Sequence, residues 1–76
     1  MKQGIKSNKG IGSRIRAFRN GLSMTQEKLA ALMQLADCDI SRGTLAKIEA
    51  GIRHISLEEL IAIKCALQVD YKDLLE

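Results

Sequence analysis

Proline and tryptophan are absent from this chain of 76 residues, and tyrosine and phenylalanine occur once each. Because β-strands are enriched in aromatic and β-branched residues, the scarcity of aromatic side chains argues against a fold built from strands. Hydrophobic residues make up 46% of the chain and charged residues 28%, which is typical of a globular domain and excludes full disorder. The composition therefore favours one small all-α domain.

Cysteine is scarce as well. Cys38 and Cys65 lie far apart and form no Cys-x-x-Cys motif. A zinc site needs more ligands than these two residues and the single histidine, His54, provide, so neither a metal nor a cofactor is predicted. No signal peptide and no apolar stretch approaching about twenty residues is present. We expect a cytoplasmic chain without membrane contact, whose cysteines are free thiols that act as small apolar residues.

Acidic residues are missing from the start of the chain. Residues 1–19 carry half of the twelve Lys and Arg residues and none of the nine acids. Such a distribution predicts a domain with one basic side, suited to a polyanion, and one acidic side. A solvated basic tail is the alternative, and charge alone does not exclude it. Residues 1–10 are polar and aperiodic, so we expect a flexible basic arm there, ahead of a domain over residues 11–76.

Apolar residues recur at spacings of three and four, as in amphipathic helices. Together with N-cap residues, these spacings predict five short helices: Ser13 to Asn20-Gly21, Thr25 to about Leu35, Ser41 to Gly51, Ser56 to about Gln68, and Asp70 to Leu75. Ser56 and Glu59 form a capping box, and Gly51 fits the left-handed position after a helix. The expected inward faces include Ile15, Phe18 and Leu22 in the first helix, Leu45 and Ile48 in the third, and Leu57, Leu60, Ile63 and Leu67 in the fourth.

Two local motifs are more specific than this general pattern. The second helix opens with Gln26-x-x-Leu29-Ala30, and the third ends with Ile48-Glu49-x-Gly51. With these motifs, the stretch from Ile15 to Leu75 resembles the Cro/XRE-type, or phage-repressor, helix-turn-helix domain. The resemblance implies a compact, lambda-repressor-like bundle of five short helices. It also implies that the third helix is a recognition helix for the major groove of double-stranded DNA.

The connection between helices 2 and 3 departs from the family, because Ala31–Ile40 is longer than the usual turn. Either helix 2 continues for more than another turn, or an enlarged loop forms around Ala36–Asp39. The angle between the two helices depends on which of these occurs.

Site residues follow from the expected orientation of the third helix. Since Leu45 and Ile48 face inward, the candidates for base contacts are Arg42, Gly43, Ala46 and Lys47. Arg42 is the strongest, because its guanidinium can bind guanine O6 and N7 together. Gly43 either allows the backbone close to DNA or is merely tolerated near a helix start.

Phosphate contacts are expected at helix starts and in the loop after the third helix. The candidates are Gln26, Ser41, Thr44, Arg53 and His54, of which Gln26 matches a phosphate-clamping position of the family; an exposed loop residue without a task is the alternative for His54. The resemblance further implies a structural ion pair between Arg19 and Glu49.

The leading hypothesis is a sequence-specific transcriptional regulator, expected to be a repressor. We expect it to bind DNA as a homodimer that associates through Tyr71, Leu74 and Leu75. The alternative is a protein-interaction module that kept the fold and lost DNA binding, such as a small partner of a toxin or phage protein. An enzyme is not predicted, because acids beside Cys38 should raise its pKa, and Ser41 and His54 fit a cap and a loop.

Overall fold

A computed structural model of the chain describes residues 8–75, which form five α-helices and no strand. The helices are α1 (Asn8–Gly21), α2 (Gln26–Leu35), α3 (Arg42–Glu49), α4 (Leu57–Leu67) and α5 (Tyr71–Leu75). The expected all-α bundle of five short helices is confirmed. The predicted flexible arm lies outside the described residues as far as residue 7, whereas residues 8–10 belong to α1.

Helix α1 begins at Asn8, more than one turn before the expected start at Ser13. Its additional turn contains Ile11, which packs against the core, and the buried Gly12. Packing of this turn outweighs the low helix propensity of its glycines, a contribution that local sequence preferences do not include.

Side-chain caps begin the next three helices. Thr25, Ser41 and Ser56 each accept a hydrogen bond from the backbone N–H three residues ahead. At α4 the Glu59 carboxylate also accepts from the Ser56 N–H, at 2.9 Å, which completes the predicted capping box. Asp70 precedes α5 as expected, but its backbone N–H donates to the Asp73 carboxylate at 2.9 Å. At the start of α5 the Asp73 carboxylate therefore supplies the contact that was expected from the Asp70 side chain.

Helices α1 to α4 end in the same way. After each, a residue in the left-handed conformation is followed by a backbone N–H that bonds back to a carbonyl five residues earlier. This is the Schellman motif, for which glycine is the preferred residue at the left-handed position. The four positions are Ser23, Asp37, Gly51 and Gln68. Only Gly51 was expected, because the other three residues are not glycine.

The connection between α2 and α3 is an enlarged loop. Helix α2 ends at Leu35, and Asp37 begins the reversal with a φ of 65°. Ile40 is only 3% exposed and joins the core, while its carbonyl oxygen accepts a 2.6 Å hydrogen bond from Gln34 Nε2. The longer connection is thus anchored immediately before the Ser41 cap, and the start of α3 is held against the bundle.

The core draws on all five helices. Its fully buried side chains are Ile15, Leu29, Met33, Leu45, Ile48, Ile63 and Leu74. Helix α3 packs on α1 and α2, α4 packs on α2 and α1, and α5 packs on α1.

The predicted inward faces were wrong at two leucines. Leu22 is 54% exposed, because α1 ends at Gly21 and the chain reverses there. Leu57 is 70% exposed at the first position of α4, where the helix has only begun to approach the bundle. Within residues 8–75, no helix combines the length and apolarity needed to span a membrane.

Candidate nucleic-acid interface

The outer face of α3 is open. Arg42, Gly43 and Lys47 are exposed and Ala46 is half-buried, whereas Leu45 and Ile48 on the opposite face are buried. The four residues predicted to contact bases therefore lie outside the core of the bundle. Their contacts with DNA stay predictions.

The predicted ion pair between Arg19 and Glu49 is present and bidentate. Arg19 Nε donates to Glu49 Oε2 at 2.7 Å, and Arg19 Nη2 donates to Oε1 at 2.9 Å. A third bond, 2.8 Å from Arg19 Nη1 to the Met24 carbonyl oxygen, ties the same guanidinium to the segment between α1 and α2. The hydrogen bond to Glu49 is the main cause of the raised pKa of Arg19. Because both side chains are buried, the pair fixes the end of α3 against α1.

Gln26 connects this buried pair with the outer face of α3. Its Nε2 donates to Glu49 Oε1 at 3.0 Å, and its Oε1 accepts from Arg42 Nη1 at 3.1 Å. On the other side of Arg42, Glu27 Oε2 lies 3.8 Å from Nε. The structure thus brings together Gln26 and Arg42, which were predicted to contact phosphate and base respectively.

Two helix starts, those of α2 and α3, lie on this side of the molecule beside Gln26 and Arg42. The Ser41 hydroxyl caps α3 and donates to Thr44 Oγ1 at 3.0 Å. Ser41 is exposed and Thr44 is half-buried. Free backbone N–H groups at a helix start favour anions, so both starts suit phosphate groups.

Arg53 forms an ion pair with Glu59, which the sequence did not indicate. Its Nη1 and Nη2 donate to the two carboxylate oxygens of Glu59 at 2.9 and 3.1 Å. Burial alone would raise the pKa of Glu59, but hydrogen bonds from Arg53 and Ser56 outweigh burial and lower this pKa. The Arg53 side chain is still 41% exposed, and His54 beside it is exposed. Phosphate contacts by these two residues stay predictions.

Gly12 is a site-forming residue that the sequence analysis missed. A Cβ atom built on Gly12 would lie 2.6 Å from the Glu49 carbonyl oxygen and would also clash with that of Ile48. Only glycine allows α1 to approach the end of α3 this closely. Nothing in the local sequence indicates the contact, because the two segments are distant along the chain.

The pKa of the Cys38 thiol is shifted in the direction that the sequence predicted. Burial, more than the nearby acids Glu59, Glu58 and Asp39, raises the pKa of the Cys38 thiol. A raised pKa lowers the thiolate fraction at neutral pH and hence the nucleophilicity of the residue. Within the described part of the chain, no cluster of three or more His, Cys, Asp or Glu residues is suited to holding a metal ion.

Comparison with known proteins identifies the family. A family model described as helix-turn-helix matches residues 15–74. The chain belongs to the Cro/XRE-type helix-turn-helix family. It is a sequence-specific DNA-binding transcriptional regulator, and nothing in these comparisons favours the alternative of an interaction module without DNA binding.

Two relatives place this helix-turn-helix protein more closely. The chain is 41% identical over 67 residues to the control protein C.BamHI of Bacillus amyloliquefaciens, across 87% of this chain and 76% of the relative. The crystal structure of the restriction-modification controller protein C.AhdI of Aeromonas hydrophila matches with a TM-score of 0.79 at 26% identity. That match covers 92% of this chain and 98% of C.AhdI.

Proposed function

We propose that this regulator controls the expression of a restriction–modification system by binding an operator as a homodimer. The observation that carries the proposal is the 41% identity to a control protein across most of the chain. The open face of α3 beside two helix starts supplies the surface that such binding requires. Since the DNA of a bacterial cell lies in the cytoplasm, the protein would act there.

In this proposal α3 enters the major groove. Arg42 reads guanine, Lys47 contacts a neighbouring base or a phosphate, and Gly43 and Ala46 let the helix approach the base edges. The α2 and α3 starts hold phosphate groups through their N–H donors, and the Ser41 and Thr44 hydroxyls contribute. Arg53 and His54 extend the phosphate contacts beyond α3.

Of the three residues that the sequence suggested for the dimer contact, Leu74 does not fit, because it is fully buried in the core. Tyr71 and Leu75 remain available, at 41% and 52% exposure. On α4, Leu57 and Ile61 lie one turn apart and are also exposed, which gives a larger apolar surface for a second copy. We therefore place the dimer contact on the exposed apolar residues of α4 and α5.

The dimer contact is tested by measuring molar mass in solution with analytical ultracentrifugation. Replacing Ile61 with Lys should shift the dimer towards monomer. Leu35→Lys is the matched control, because Leu35 is 82% exposed and belongs to α2, outside the proposed contact. Equal dimer fractions for both variants would contradict the proposed contact.

The DNA-binding proposal is tested by selecting bound sequences from a library of random duplexes. A homodimer should enrich a pseudo-palindrome whose half-sites lie about one helical turn apart. Affinity for the enriched duplex should fall steeply with salt, because binding releases counterions from phosphates. Absence of enrichment would overturn the proposal.

The sign and target of regulation need a cellular test. The enriched sequence is searched for beside restriction or methyltransferase genes, and such a promoter is fused to a reporter. We expect the protein to repress this reporter, and Arg42→Ala to relieve the repression. An operator without any such neighbouring genes would contradict the proposed target.

A further inference from the structure

The Glu59 carboxylate serves two structural elements at once. Its Oε1 accepts a hydrogen bond from the Ser56 N–H, which caps α4, and a second one from Arg53 Nη1, both at 2.9 Å. Its Oε2 accepts from Arg53 Nη2 at 3.1 Å. The contact with the guanidinium is therefore bidentate and charge-assisted, the geometry in which an arginine is held most firmly. The direction of the Arg53 side chain is thus set by the start of α4.

The backbone of Arg53 is held by the recognition helix. The N–H groups of Ile52 and Arg53 both donate to the Lys47 carbonyl oxygen in the last turn of α3, at 3.0 and 3.3 Å. Arg53 Nη1 also donates to the His54 carbonyl oxygen at 3.1 Å, which closes the loop on itself. Arg53 is therefore fixed at both ends, to α3 through its backbone and to α4 through its guanidinium.

The two partners of this ion pair differ in their exposure. The Glu59 side chain is 10% exposed, whereas the Arg53 side chain is 41% exposed. A phosphate group beside the end of α3 would therefore meet the arginine before the acid. Because an arginine that is already oriented has less side-chain freedom to lose on binding, the pair reduces the entropic cost of a phosphate contact.

We propose that Glu59 is a positioning residue, which holds Arg53 in the orientation needed to contact DNA phosphate beside the recognition helix. This inference rests on the proposed function, in which Arg53 contacts phosphate. It gives Glu59 a role beyond the cap of α4. The carboxylate also offsets the positive charge of Arg53, so the gain from orientation must exceed the loss of attraction to phosphate.

Three possible roles of Glu59 have different consequences for DNA binding. If Glu59 orients Arg53, its replacement weakens binding to every duplex by a similar factor, because phosphate contacts carry no base preference, and the effect requires Arg53. If Glu59 only caps α4, its replacement changes binding equally with and without Arg53. If its charge mainly repels phosphate, its removal strengthens binding.

The experiment uses the full chain and the duplex that the wild-type protein selects from a random library. Dissociation constants are measured by fluorescence anisotropy for this duplex and for duplexes with single base pairs replaced in both half-sites. Glu59→Gln keeps an oxygen for the α4 cap but loses the charge and the second carboxylate oxygen, and Glu59→Asp keeps the charge on a shorter side chain. Both are also combined with Arg53→Ala. Glu58→Gln is the matched control, since it removes the same charge from the neighbouring, exposed residue of α4.

We expect Glu59→Gln and Glu59→Asp each to weaken binding to all duplexes by about two- to tenfold, which corresponds to the cost of ordering one long side chain. Base preference should match wild type, and Glu58→Gln should bind at least as tightly as wild type. In the Arg53→Ala background neither Glu59 variant should weaken binding further. Thermal melts confirm that each variant is folded, and Glu59→Asp alone completes the comparison if Glu59→Gln is unfolded.

A loss of affinity that persists in full in the Arg53→Ala background would overturn the positioning role. Wild-type affinity of Arg53→Ala, or tighter binding by Glu59→Gln, would overturn it as well. Each of these results would leave regulation through DNA binding intact. Failure of the wild-type protein to select any duplex would instead overturn the proposed function.

Discussion

Gly12 in α1 lies directly against the Glu49 carbonyl oxygen at the end of α3, so that a Cβ atom on Gly12 would come within 2.6 Å of it. The atom in the way belongs to the backbone, which has little freedom to move. The recognition helix is therefore positioned by the absence of a side chain on a neighbouring helix, together with the Arg19–Glu49 ion pair.

Replacing Gly12 with Ala should destabilise the fold by roughly 1–3 kcal/mol, as expected for overpacking, despite the higher helix propensity of alanine. The free energy of unfolding is measured by urea denaturation. Gly21→Ala is the control, because a Cβ at Gly21 would meet nothing within 4 Å. A Gly12→Ala protein as stable as Gly21→Ala would show that α1 and α3 are not in close contact.

Glu49→Ala should cost about 3–5 kcal/mol of stability, because it leaves the buried Arg19 guanidinium without its partner. Lys47→Ala, on the exposed face of the same helix, should change stability by less than about 0.5 kcal/mol. Melting temperatures by circular dichroism compare the two. Equal values would contradict the structural role of the ion pair.

Replacing Gly43 with Ala tests whether this glycine is needed for DNA binding or for folding. A Cβ there would meet only Ser41 Oγ, at 3.9 Å, so Gly43→Ala should fold at least as stably as wild type. We expect its affinity for the selected duplex to fall, because the methyl group separates α3 from the base edges. Anisotropy measures the affinity and a thermal melt the stability. Unchanged affinity would mean that Gly43 is merely tolerated at the helix start.

Protonation of Glu59 should lower the stability of the protein in acid. Its pKa is lowered in the folded protein, so its contribution is fully present above the unfolded value of about 4.3. The contribution is lost as pH decreases through the lower folded-state pKa. Urea unfolding between neutral pH and pH 3 should show this loss in wild type. Glu59→Gln should reduce the dependence on pH, and an unchanged dependence would contradict the assignment.

Asp37→Gly should stabilise the protein by roughly 0.5–1 kcal/mol, since glycine adopts the left-handed conformation after α2 without steric cost. Gly51→Ala, which instead removes a glycine from such a position, should destabilise the protein, because Gly51 has a φ of 78° that strains a residue with a Cβ atom. Thermal melts of both variants provide the comparison. A stabilising Gly51→Ala would contradict the left-handed cap after α3.

The helix starts were readable from the sequence because they depend on local chemistry. Thr25, Ser41 and Ser56 each bond to a backbone N–H three residues away, and this spacing is visible in a linear chain. The helix ends were harder to predict. Ser23, Asp37 and Gln68 adopt the left-handed conformation without being glycine, since packing of the following segment requires the reversal.

By itself, the sequence determined the all-α class, the order of the helices, and, through the family resemblance, the pairing of Arg19 with Glu49 and the face proposed to contact DNA. The tertiary structure alone decided that Gly12 meets Glu49, that Arg53 binds Glu59, that Leu74 is core, and that Gln26 connects Glu49 to Arg42. The reason is physical: periodicity and caps act within a few residues, whereas these contacts depend on the distance and angle between packed helices.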